Sequence, residues 1–145
     1  MHYKEDYFKL YMFDIGLFCA KAEIKPADIL LQGVDLVDDM NGALAEQFVL
    51  QELKTAGVSP LFYWGREGSG IAEIDFITQE NGEIVPIEVK SAKNTKAKSL
   101  KVYMDEYQPA HIVRTSLANY GVFGNLYSVP LYMISEFTEI VKEKQ

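Results

Sequence analysis

Two apolar runs, residues 71–78 and 84–91, flank the tetrapeptide Glu80-Asn81-Gly82-Glu83, and this is the feature that most narrows what the chain can fold into. Asn-Gly between two such runs is the strongest short-range sign of a tight β-hairpin. The two runs are therefore predicted to be antiparallel partners. A third strand is predicted just upstream at 61–64, separated from them by the glycine-rich stretch Gly65 to Gly70.

Helices bracket this group. Asp38, Asp39 and Asn41 precede an apolar-rich run over 43–56 that Gly57 closes, which predicts a helix with Leu44, Ala45, Phe48, Val49 and Leu53 on a broad apolar face. Downstream, Ser99 is placed to cap a helix carrying Leu100, Tyr103, Met104 and Tyr107 on one side, and Pro109 ends it. A strand at 111–116 follows. The order from residue 41 to 116 is helix, three strands, helix, strand, which predicts an α/β fold: a mixed sheet flanked by helices, the last strand returning beside the others after a helical crossover.

The flanks are read more coarsely. Residues 9–14 suggest a short strand, 14–16 a turn and 15–20 a short helix, while 25–39 reads as loop and short helical turns. Near the end, 127–134 is expected to add an edge strand broken by Pro130, and 136–144 a short charged helix. With 145 residues, 48% of them hydrophobic, the chain can bury one ordinary core. The expected organisation is an arm, residues 1–40, packed on a main domain, residues 41–145.

Cys19 is the sole cysteine, which rules out an intramolecular disulfide and a cysteine-based zinc site and fits a cytoplasmic protein. No apolar run approaches a membrane span. The formal charge of −7 argues against a protein that coats nucleic acid by bulk electrostatics. Local charge differs: between Glu88 and Asp105 every charged residue is a lysine, namely Lys90, Lys93, Lys96, Lys98 and Lys101. Such a run is usually a solvated face, but directly after Lys90 it is placed to track a phosphate backbone.

The hairpin also carries the candidate chemistry. Side chains alternate along a strand, so Glu88 and Lys90 share one face and Ile87 and Val89 the other, and Asp75 lies on the strand expected to pair with that of Glu88. Two carboxylates hold a hard divalent ion such as Mg²⁺ or Mn²⁺, and a lysine steadies the charge that builds on a phosphodiester. Glu46 lies at helical spacing from Val49, Leu50 and Leu53, although Glu52 falls in the same arc. Each of these residues has a plainer reading: Glu88 and Lys90 as a solvated salt-bridged strand face, Asp75 as a hairpin surface carboxylate, Glu46 as a partner for Lys90. His2 and His111 lack metal-pair spacing. Tyr63, Trp64, Tyr103 and Tyr107 are read as packing ahead of base stacking.

At Asp75 and Glu88-Val89-Lys90 the chain resembles the PD-(D/E)xK nuclease superfamily, whose core order is the one predicted above. Ile74 stands where that signature usually has proline. The resemblance implies a restriction-endonuclease-like core, metal ligation by Asp75 and Glu88, a phosphate-supporting Lys90, and Glu46 as the helical acidic position. Over nearly its whole length the chain also looks like the C-terminal region of bacterial and archaeal P-loop ATPases that carry the DUF4143 domain, through Lys9-Leu-Tyr-Met-Phe-Asp-Ile-Gly-Leu17, Asn41-Gly-Ala-Leu-Ala-Glu46, Ala72-Glu-Ile-Asp-Phe76 and Pro86-Ile-Glu-Val-Lys-Ser91. That family places an ATPase module upstream, whereas no Gly-x-x-x-x-Gly-Lys-Ser/Thr occurs here, so the expectation is a fragment or split-off domain that does not itself hydrolyse ATP.

Two functions of different classes follow. The first is a Mg²⁺-dependent phosphodiesterase acting on DNA or RNA, with Lys93, Lys96, Lys98 and Lys101 along the nucleic acid. The second is a non-catalytic module that binds DNA or joins an ATPase to a protein partner or to a second copy of itself.

Overall fold

A computed structural model of the chain describes residues 8–25, 27, 38–66, 72–91 and 98–142. Most of the stretch expected to be loop and short turns at 25–39, most of the glycine-rich stretch after Gly65, and Lys93 and Lys96 lie outside the described residues. Helices α1 (Ile15–Lys21) and α2 (Asp38–Thr55) come first, then strands β1 (Phe62–Arg66), β2 (Ala72–Glu80) and β3 (Glu83–Val89). Helix α3 (Lys98–Tyr107) leads to β4 (Ile112–Ser116), β5 (Gly121–Phe123) and β6 (Leu126–Pro130). A 3-10 turn (Leu131–Glu136) and α4 (Phe137–Lys142) complete the described chain.

The strands form one six-stranded mixed sheet in the order β1-β2-β3-β4-β6-β5. The predicted hairpin is present: β2 and β3 are antiparallel from Glu80↔Glu83 to Phe76↔Ile87. Asn81 at φ 51 and Gly82 at φ 86 supply the two left-handed residues its tight turn requires. After the α3 crossover, β4 lies parallel to β3 from Ile87↔Val113 to Val89↔Thr115. The chain thus runs helix, three strands, helix, strand as expected, in a mixed α/β architecture.

Two apolar clusters cover the sheet. On one face Ala45, Val49 and Leu53 of α2 pack on Phe76, Val85, Ile87, Val89, Val113 and Val129, joined by Ile134, Phe137 and Val141 from the C-terminal segment. On the other face Leu100 and Tyr103 of α3 pack on Trp64, Ala72, Ile74, Ile77 and Ile112. Helix α2 stops where Gly57, at φ +81, lets Val58 N–H reach Leu53 O at 2.9 Å and Gly57 N–H reach Lys54 O at 3.0 Å. Those two bonds make a Schellman cap, and Val58 beside Leu53 in the core closes it.

Four expectations change at the edges. Residues 8–12 form no strand; α2 holds the backbone of Met12 instead, with Met12 N–H donating to Gln47 Oε1 at 2.9 Å and Gln47 Nε2 donating back to Met12 O at 3.1 Å. Asp14 is the N-cap of α1, its carboxylate accepting from Leu17 N–H at 2.8 Å. Helix α3 begins at Lys98, so Ser99 lies inside its first turn. Strand β6 is internal, parallel to β4 and antiparallel to β5; the edge is β5, read from sequence as loop, and Pro130 ends β6. A three-residue strand offers too few positions for alternation to be visible.

Candidate active site

The site grows out of an irregularity in β2. Pairing with β1 runs Trp64↔Ile74 and then Phe62↔Ile77, so two steps on β1 span three on β2 and the extra residue falls at 75–76. A bulge of this kind resets the alternation. Ile74 and Ile77 consequently join the α3-side cluster while Phe76 joins the α2-side cluster. Glu73 and Asp75, alternating with Ala72 and Ile74, leave the strand on the α2 side.

Glu88 and Lys90 alternate with Val85, Ile87 and Val89, all in the α2-side cluster, so they leave β3 on the other side. Plain alternation therefore does not put Asp75 and Glu88 on one face. What links Asp75 to this strand lies at the open end of the hairpin, beyond the last ladder pair, where Val89 N–H has Asp75 Oδ2 as its acceptor at 2.7 Å. A carboxylate takes the place of a ladder carbonyl, which draws Asp75 against the backbone between Glu88 and Lys90. On the far side of that backbone Glu88 Oε1 pairs with Lys90 Nζ at 2.5 Å. Glu88 is 2% exposed, and its second oxygen, Oε2, is buried with no hydrogen-bond partner among the described residues.

Glu46 enters from α2 through a residue that the sequence reading missed. Lys9 Nζ lies 3.2 Å from Glu46 Oε2 and 3.6 Å from Asp75 Oδ1, and it also pairs with Glu73. Tyr11 donates its hydroxyl to Glu46 Oε2 at 3.1 Å and stacks on Phe76 with ring centroids 5.8 Å apart. Lys9 lies 37 residues from Glu46, and no local pattern announces a contact of that range. The one available signal was that Lys9 and Tyr11, two apart, share a side of an extended segment.

Charge crowds this end of the sheet. Burial raises the Asp75 carboxyl to about 7, with the fields of Glu46 and Glu88 adding to it and the Val89 N–H and Lys9 opposing. Burial likewise raises Glu88, against the pull of Lys90. For Lys9 burial acts downward, yet the hydrogen bond to Glu73 and the charges of Glu46 and Asp75 outweigh it and the ammonium is held above its ordinary value. Tyr11 is raised by burial first, with Lys9 opposing and Glu46 adding. Four carboxylates around two ammoniums make the fully ionised site negative, an environment that favours a cation.

Mg²⁺ and Mn²⁺ keep several waters and need only one or two carboxylates, so the relevant donors are the unpartnered Glu88 Oε2 and the Asp75 oxygen not spent on Val89. Both are hard oxygen donors and fit such an ion. Among the described residues no group of three or more His, Cys, Asp and Glu side chains is arranged to hold a metal.

The remaining candidates divide. Lys98 and Lys101 are exposed on α3. Trp64, Tyr103 and Tyr107 pack together edge-on or tilted, and Trp64 Nε1 donates to Tyr107 Oη at 3.2 Å, which makes them a packing unit. Tyr63 lies under Lys9, the ammonium 5.6 Å from its ring centroid. His111 faces Glu83 at 3.4 Å and Tyr127, and it makes no ion pair with Asp75 or Glu88 among the described residues. No described helix is long and apolar enough to cross a membrane.

Residues 41–134 match the family described as Domain of unknown function (DUF4143). No curated protein and no solved structure matches the chain.

Proposed function

Since the chain belongs to the DUF4143 family, we propose that it is a restriction-endonuclease-like domain that cleaves nucleic-acid phosphodiesters with the help of a divalent metal. One observation supports this reading: Asp75 accepts from Val89 N–H, in the short backbone stretch that carries the buried Glu88 and the Lys90 paired with it. The residue types are those of the Asp and Glu-x-Lys signature, and they sit in a core whose element order matches the one that resemblance implies. Asp75 and Glu88 would hold Mg²⁺ or Mn²⁺, which when bound supplies a Lewis acid to a phosphate oxygen. Lys90 would leave Glu88 for the phosphate and steady the charge that builds there. Glu46 would orient a water from the α2 side. Lys98 and Lys101, with Lys93 and Lys96, would follow the nucleic-acid backbone. The resemblance to ATPase C-terminal regions supports an upstream ATPase module as a partner.

The test is cleavage of single- and double-stranded DNA and RNA with Mg²⁺ or Mn²⁺, comparing the native chain with Asp75→Ala and Lys90→Ala. Each substitution is expected to lower the rate by about 100-fold or more, the usual cost of losing a group that stabilises transition-state charge. Equal activity in all three proteins would reject the site.

A second reading, a non-catalytic interaction module, is favoured by the arm: Phe8, Leu10 and Phe13 are 78%, 87% and 91% exposed. Three large apolar side chains offered to solvent within one short segment suit a protein contact. Under that reading nucleic acid is not cut, and stable complexation with an ATPase module survives Asp75→Ala.

A further inference from the structure

We propose that Lys9 is a built-in counter-ion that keeps divalent metal off the site until the segment carrying it lets go of α2, so that the arm regulates the chemistry inferred above, on whose reading this rests. The geometry is that of a surrogate cation. One ammonium serves Glu46 at 3.2 Å, Asp75 at 3.6 Å and Glu73, gathering carboxylates from two elements as a metal ion would. The proposed ligand Asp75 cannot coordinate a dication while that ammonium stays in place without bringing two cations close together in a partly buried site. Metal binding and Lys9 docking therefore exclude each other.

What sets the position of Lys9 is independent of the carboxylates. Gln47, 1% exposed, clamps both the N–H and the C=O of Met12, and Gln51 Oε1 accepts from Ile15 N–H at 2.9 Å. Between the clamp and the lysine Tyr11 packs against the core, through Phe76, while the side chains of Phe8, Leu10 and Phe13 are exposed. Among the described residues the segment is thus held by polar contacts, the Tyr11 ring on Phe76 and the Lys9 ammonium over Tyr63, a set that can be exchanged without opening the main core. A partner that captures Phe8, Leu10 and Phe13 would withdraw Lys9 by the same movement.

The test titrates Mn²⁺ against the whole chain, reading free ion by electron paramagnetic resonance, for the native protein, Lys9→Gln and Gln47→Leu. Gln47→Leu leaves every charged group in place and loosens only the clamp, so it carries the test should Lys9→Gln fail to fold. Both variants are expected to bind Mn²⁺ more tightly, Lys9→Gln by about tenfold or more, because the native affinity is reduced by the fraction of molecules whose site is free. Native and variant affinities that are equal, or weaker binding by the variants, overturn the counter-ion role while leaving the metal site standing. No binding by any of the three at millimolar Mn²⁺ overturns the metal site itself.

Discussion

Asp75 is a carboxyl under tension. Its carboxyl rests at about 7 because it is buried among other acids, so ionising it in the fold costs free energy that ionising it in the unfolded chain does not. The sign follows from proton binding: between the ordinary aspartate value and about 7 the folded state holds the extra proton, and stability falls as pH rises through that window. Asp75→Asn keeps an acceptor for Val89 N–H and removes the charge. The variant is expected to raise the melting temperature in chelator more at pH 8 than at pH 5, which lies low in that window; an equal shift at both pH values would place the tension elsewhere. Glu88, raised by burial, behaves in the same direction, and Glu88→Gln is expected to gain stability as the pH is raised, read in the same melts. Much of this was legible from the residue string, since Asp75, Glu88 and Lys90 stand out as charges inside apolar strands. The part taken by Lys9 was not, because a lysine in a polar opening segment looks like any solvated one until the fold brings it to α2.

Elements were legible wherever the cause of the element is local. The hairpin follows from Asn81-Gly82, and the end of α2 from Gly57, whose positive φ an L side chain adopts only at a cost. No atom lies within 4 Å of an added Cβ there, so Gly57→Ala pays only the left-handed backbone penalty, about 1–2 kcal/mol. Urea unfolding is expected to show that loss, and an unchanged midpoint would contradict the capping account. Leu53, fully buried beneath α2, is expected to cost about 2–5 kcal/mol when cut to alanine, by the same measurement. Elements whose cause is distant were not legible. Residues 9–14 carry the apolar content of a strand, yet the backbone of Met12 is bonded by Gln47 of α2, and β6 gained an interior place because β5, only three residues long, pairs outside it. The bulge at 75–76 is likewise set by pairing with β1, and it decides which side of the sheet Asp75 leaves from.

At the scale of the molecule, α2 and the C-terminal segment on one face and α3 on the other leave the diverging ends of β2 and β3 as the place where charge collects. A ligand that binds only the folded state raises its stability by mass action, so Mn²⁺ is expected to raise the melting temperature of the native chain at pH 8 and to do so far less for Glu88→Gln. Equal shifts would mean binding elsewhere. The central claim is that Asp75 and Glu88 form one metal site at that end of the hairpin. It is tested most directly by soaking a crystal of the Lys9→Gln variant, which lacks the competing ammonium, in Mn²⁺ and recording anomalous diffraction: a peak between the side chains of Asp75 and Glu88 is the predicted result, and a map with no peak there would contradict it.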